Sequence, residues 1–334
     1  MLRWIVYGLV GVALAAMALK AAFVISPWPA ALLIRHAFHK DAVQRNIALE
    51  RHAPPGVTVL ADQAYGAAGD ERLDVYLPPS PAERLPTIVW VNGGAFVAGN
   101  KADIAGYMKI LAARGYAMVA VGYSVAPGAG YPMPVLQLNK ALAFISAHAA
   151  EFHADTDRLV LAGDSAGAQI VAQFSAAAGN AAYARAVGLT PAVQPGQLNG
   201  LVLFCGVYDA SRISLDGPFG GFLRTVLWSY FGSKDFVDDP RLDQFSVNRH
   251  LTGLFPPAFV SAGNADPLAP QSKLIADAIA AQHVPVDTLF FPADYQPPLQ
   301  HEYQFNLDDP AGQQALARLA AFLARVTTPE AVPR

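Results

Sequence analysis

From Leu73 onward, short unbroken apolar runs alternate with stretches of helical periodicity, and this limits the chain to very few architectures. Thr87–Val91, Ala117–Val121, Leu159–Ala162, Leu201–Phe204, Ala258–Ser261 and Thr288–Phe291 each carry the apolar density of a strand covered on both faces. Leu73–Leu77 alternates and reads as a half-buried strand ending at Pro78-Pro79. Helical spacing falls between the runs, at about 103–113, 135–149, 165–178, 271–282 and 311–325. The pattern predicts an α/β fold: a mostly parallel sheet with helices on both faces. Ligands bind such sheets outside the carboxyl ends of the strands, so the residues just after each run are the candidates for chemistry. Residues 210–252 break the alternation with Phe219, Phe222, Trp228, Tyr230 and Phe231 among glycines, as expected of a small cap. Those aromatics suit either an apolar acyl pocket or the core of the cap itself.

Composition removes other classes. A net charge of −3 leaves no basic stripe for nucleic acid. With 53% hydrophobic and 15% charged residues, the 334-residue chain is not extensively disordered. The single cysteine, Cys205, excludes an intrachain disulfide and a cysteine-rich zinc site.

The expected organisation has three parts: an anchor or signal over 1–26, an amphipathic helix and linker over 27–56, and the α/β domain with its cap insertion over 57–334. Trp4–Leu19 is uncharged and spans roughly 24 Å as a helix, and continuing through Lys20 to Ile25 reaches roughly 33 Å. Trp4, Tyr7 and Trp28 stand where interfacial aromatics belong, and Pro27 and Pro29 are expected to break the helix. The segment reads as a single-pass anchor giving membrane association. The alternatives are a cleaved export signal, with Ala16-Met17-Ala18 resembling a cleavage site, and a buried or surface-lying helix. Basic residues flank it on both sides, so charge does not choose the side of the membrane. The expected alternatives for the amphipathic helix at 30–52 are packing on the main domain, a lid, a membrane-surface element and a part of the cap.

Gly163-Asp164-Ser165-Ala166-Gly167 follows the Leu159 strand and opens a helix. This is the strand–turn–helix setting of a G-x-S-x-G nucleophile elbow, in which small neighbours let backbone approach and the serine projects above the sheet. Asn92-Gly93-Gly94-Ala95-Phe96, after the Thr87 strand, can turn backbone N–H groups toward a developing oxyanion. Gly93, Gly94 and Ala166 are the expected donors. A serine nucleophile needs a base and an oriented carboxylate, which in this fold follow in the order Ser, acid, His. His250 and His283 precede strands and so lie at the wrong end of the sheet, whereas His301 follows the last strand. Asp266 follows the Ala258 strand; Asp294 is a rival, but it shares the loop of His301.

These motifs resemble the hormone-sensitive-lipase-like carboxylesterase group of the α/β-hydrolases, over about residues 70–325. The G-D-S-A-G elbow, Asp155-Thr156-Asp157-Arg158, Tyr123-Ser124-Val125-Ala126-Pro127, Leu254–Ala258, Asp266-Pro267-Leu268 and His301-Glu302-Tyr303 carry the likeness. The chain departs from the group at Asn92 and Ala95, in the stretch that reads H-G-G-G there, and at Gly128, where the group has an acid. The resemblance implies a Ser165, Asp266, His301 triad and backbone donors from Gly93, Gly94 and Ala166. It further implies hydrolysis of short- to medium-chain carboxylic esters, a small-molecule substrate, and no metal or organic cofactor. The apolar N-terminus is similar to that of the arylacetamide-deacetylase branch. The alternatives are an amidase, deacetylase or peptidase with the same triad, and a non-catalytic binding protein on the same scaffold. The last normally loses a triad residue, and none is missing here. Oligomeric state is not encoded in any of these features.

Overall fold

The computed structural model describes residues 2–217 and 219–328. Met1 and 329–334, the two ends of the expected segments, lie outside the described residues, as does Pro218 within the cap region. Helices α1 (Leu2–Ile25) and α2 (Trp28–Glu50) lead into the sheet. Then follow β1 (Thr58–Ala64), β2 (Arg72–Leu77), β3 (Leu85–Val91), α3 (Ala105–Ala112), β4 (Ala117–Val121), α4 (Met133–Ala147) and β5 (Ala154–Asp164). Next come α5 (Ala166–Gly179), α6 (Ala181–Val187), β6 (Leu198–Phe204), α7 (Gly220–Phe231) and α8 (Arg241–Phe245). The chain closes with β7 (Ala258–Ala262), α9 (Ala269–Ala281), β8 (Val286–Phe290) and α10 (Pro310–Thr327).

The eight strands form one sheet in the order β1-β2-β4-β3-β5-β6-β7-β8. From β4 to β8 every pairing is parallel, while β2 runs antiparallel to both β1 and β4. Alternate residues of each central strand enter opposite cores. Val89 and Val91 face α4, α5, α9 and the cap, whereas Ile88 and Trp90 face α3, α10 and the end of α2. This double coverage is why the central strands read as continuous apolar runs.

Two sequence expectations need correction, and one strand carries no sequence signature. The first strand, β1, was not anticipated: its TVLADQA is mostly exposed and pairs only at the sheet edge, so no buried run marks it. Strand β2 is buried over Leu73–Leu77 rather than half-buried, because Asp74, expected to face water, is buried and paired with Lys101 at 2.6 Å. Of the two prolines expected to break the N-terminal helix, only Pro27 stands at the break. Pro29 lies in the first turn of α2, where its missing N–H costs no hydrogen bond.

Helix α1 is long and apolar enough to cross a membrane, and no side chain from Arg3 to Ile25 is buried in the core. Helix α2 buries Ala31 in one core and Leu49 in the other, so it bridges the two faces of the molecule. Phe38 of α2 packs on Phe222 of the cap, ring centroids 6.1 Å apart. Most of the cap aromatics serve as its core. Tyr230, Phe231 and Phe245 are buried, and Tyr230 stacks on Phe96 of the 92–96 loop at 4.2 Å. Phe219 stays exposed.

Candidate active site

Ser165 stands between the carboxyl end of β5 and the first turn of α5 with φ 51 and ψ −117, a left-handed conformation that an L-residue adopts only under constraint. The constraint is visible around it. The Ser165 N–H donates to the Phe204 carbonyl at 2.8 Å. A Cβ on Gly163 would lie 2.5 Å from the Gly167 carbonyl carbon, and one on Gly167 would lie 1.9 Å from the Val91 oxygen. The small residues of the motif therefore let α5 start directly against β3, which lifts the serine hydroxyl above the sheet.

The Ser165 hydroxyl lies 3.0 Å from Nε2 of His301, and Nδ1 of His301 lies 2.9 Å from Oδ2 of Asp266. Asp266 is buried, and its second oxygen accepts the Leu268 N–H at 2.7 Å. With one oxygen held by backbone, the other is aimed at the ring. Asp294 is exposed and has no part in this line. His250 stacks on Tyr183 with ring centroids 4.0 Å apart and bonds the Asp243 carbonyl, and His283 is exposed before β8. The loops carrying acid and base are tied together: Asn264 accepts the Leu299 N–H at 2.8 Å, and the Ala265 N–H donates to the Leu299 carbonyl.

Burial disfavours the charged imidazole of His301, but the Cys205 sulfur, the Asp266 hydrogen bond and the Glu302 charge favour it. The balance lifts its pKa well above the ordinary histidine value. Cys205, just past β6 with φ 44, is fully buried beside that ring, and burial pushes its thiol up to about 11. Nothing in the sequence pattern marked Cys205 as a neighbour of the base.

The 92–96 loop differs in one respect from its expected role. The Gly93 N–H is not free: it donates to Oδ2 of Asp164 at 2.7 Å, while Trp90 Nε1–H donates to Oδ1 at 2.8 Å. Among the described residues, the N–H groups of Gly94, Ala95 and Ala166 have no protein acceptor. Gly94 has φ 124, and a Cβ there would sit 2.2 Å from the Ala98 oxygen, so the turn admits only glycine. Ala95 takes φ 53 despite its methyl group. Asn92 turns its amide onto the Gly93 carbonyl at 2.7 Å, and the Tyr123 hydroxyl donates to the Asn92 carbonyl at 3.0 Å. Arg35 of α2 holds the far side, donating to the carbonyls of Val97 at 2.7 Å and Ala126 at 2.9 Å. Gly128, where the resembled group has an acid, leaves room against Trp28 of α2.

The sheet order, the helix-capped serine turn and the line of serine, imidazole and carboxylate define an esterase-type α/β-hydrolase. The chain belongs to the BD-FAE family, whose model matches residues 73–279. It is similar to an acetyl esterase of Salmonella agona, 26% identical over 91% of each chain. Its fold is similar to that of esterase B from Lactobacillus rhamnosis, with TM-score 0.77, 21% identity, and coverage of 90% of this chain and 96% of that one. An esterase from the archaeon Pyrobaculum calidifontis gives TM-score 0.69 at 21% identity, over 89% of this chain and 94% of that one.

Proposed function

We propose that the protein hydrolyses carboxylic esters through an acyl-enzyme. Ser165 attacks the ester carbonyl, and His301 takes its proton at Nε2 and passes it to the leaving alcohol. Asp266 holds the imidazole by Nδ1 and stabilises its charged form. The N–H groups of Gly94 and Ala166, with that of Ala95 beside them, receive the oxyanion. Gly93 contributes the turn and the bond to Asp164. Water then attacks the acyl-enzyme with His301 as base. The observation that carries this reading is the position of His301, within hydrogen-bond reach of Ser165 on one side and Asp266 on the other.

The acetyl esterase relatives and the aromatic packing of the cap support short- to medium-chain acyl groups. The motifs around the elbow and the acid support the hormone-sensitive-lipase-like group. Helix α1 is a single-pass anchor in this reading, supported by its length and its exposed apolar surface. A p-nitrophenyl ester series from acetate to palmitate tests the activity, with Ser165→Ala alongside. Turnover that peaks at short chains and is lost in the variant is expected. Turnover retained in the variant would remove Ser165 from the mechanism. Absence of turnover from folded wild type, with cleavage of acetylated amides, would make the protein an amidase. Retention of the full chain in the membrane after alkaline extraction tests the anchor.

A further inference from the structure

The line through Ser165, His301 and Asp266 leaves a second set of charged groups beside it without a role. Glu302, next in the chain after the base, has φ 61, a conformation rare for any residue but glycine. Its side chain is largely buried, and Oε1 lies 4.0 Å from Nε2 of His301, the nitrogen that faces Ser165. A Cβ on Gly93 would lie 2.9 Å from the same oxygen, so the carboxyl also borders the oxyanion loop. The same Cβ would lie 2.5 Å from Oδ2 of Asp164, the oxygen that holds the Gly93 N–H, so the two carboxyl groups meet beside Gly93. Two buried carboxyl groups this close keep one proton between them, and one negative charge remains. The cation that meets it is Arg45, which reaches in from α2 to Oε2 of Glu302 and lies 5.6 Å from the Phe305 ring.

The ionisation pattern agrees. Burial and the Glu302 charge push Asp164 up to about 7. Burial opposes ionisation of Glu302 as well, but Arg45 and His301 hold it below the ordinary carboxylate range. Other charges face this group from the neighbouring elements. Asp103, before α3, faces Arg45 and is itself faced by His39 of α2. The Tyr123 phenol faces Asp164, while Cys205 and Asp266 face His301.

An unmatched carboxylate at this place would oppose catalysis twice. It would repel the oxyanion, and it would hold His301 in the charged form that cannot accept the serine proton. We propose that Arg45 is a positioning residue of the active site: it neutralises the Glu302–Asp164 pair beside His301 and the oxyanion loop, so the site turns over only with α2 docked. This rests on the hydrolytic role of Ser165 and His301 argued above.

The test compares Arg45→Met, Arg45→Lys, Glu302→Gln and the Arg45→Met/Glu302→Gln pair in the full chain. Two readouts are taken from about pH 5 to about pH 10: p-nitrophenyl acetate kinetics, and titration of the His301 ring protons by NMR. Arg45→Met should lower kcat about tenfold or more with KM little changed, and should move the acid limb and the His301 titration to higher pH. Arg45→Lys should recover most of that loss. Glu302→Gln should move both limb and titration to lower pH, and in the double variant kcat should rise above that of Arg45→Met. An Arg45→Met enzyme equal to wild type, or a loss that Glu302→Gln does not relieve, would overturn the proposal. If Arg45→Met does not fold, Glu302→Gln decides alone, and an unmoved His301 titration overturns it. The NMR titration needs no substrate, so a wild-type enzyme inactive on esters would count against the proposed activity and leave this test standing.

Discussion

The carboxylate of Asp164 accepts the backbone N–H of Gly93 at 2.7 Å, so the residue preceding Ser165 holds the loop that faces it. The same carboxylate takes the indole N–H of Trp90 from β3, and all three groups are buried. The turn at Ser165 and the 92–96 loop are thus one hydrogen-bonded unit rather than two neighbouring turns. Replacing Asp164 by Ala leaves two buried donors without acceptors, a loss of about 1–3 kcal/mol each. Activity should fall at least tenfold with the loop unheld. Urea unfolding and kcat, measured on the same samples, check both effects.

Ser165 is strained in the place where the proposed mechanism needs its hydroxyl. Ser165→Ala should reduce kcat by about four orders of magnitude or more, leaving the fold intact. Ser165→Gly should be equally inactive yet more stable, because glycine accepts φ 51 at little cost; roughly 1 kcal/mol is expected. Thermal unfolding of the two variants side by side checks the difference. Equal midpoints would mean that the elbow is not strained.

Gly167 shows how closely α5 approaches β3. A methyl group there would lie 1.9 Å from the Val91 oxygen, a backbone atom that cannot rotate away. Gly167→Ala should cost more than about 3 kcal/mol and leave little folded enzyme. Chemical denaturation, or soluble yield where the loss is complete, reads this out.

The pH dependence follows from His301. Its pKa is raised, so below that value the imidazole is protonated and cannot accept the serine proton; activity increases as pH rises through it. The acid limb of kcat/KM should therefore lie above the ordinary histidine value near 6.5, giving an alkaline optimum. A pH–rate profile with a limb at or below 6.5 would contradict the electrostatic environment described.

Cys205 should be inert. It is fully buried and its thiol is pushed up to about 11, so little thiolate is present at pH 8. Native protein should react with a disulfide reagent only on the timescale of unfolding, and promptly in denaturant. Fast native modification with loss of activity would show that the sulfur is reachable from the site.

Much of this arrangement can be read directly from residue order. The central strands announce themselves because burial on both faces demands unbroken apolar runs, and β3 through β7 lie where those runs fall. The elbow is legible because close backbone approach permits only small residues around Ser165, which leaves a motif in consecutive positions. His301 and Asp266 follow from topology, since side chains at the carboxyl ends of parallel strands converge on one crevice. Other features left no such trace. Strand β1 is exposed and pairs at an edge, so its hydrogen bonds hold it without an apolar signature. The capture of the Gly93 N–H by Asp164, the contact of Cys205 with His301 and the ion pair of Arg45 with Glu302 join residues far apart in the chain. Each of these partners is an ordinary residue in its own segment. Their meaning arises from charge and hydrogen-bond geometry in a shared buried volume, which exists only once α2, the sheet and the final loop have packed together.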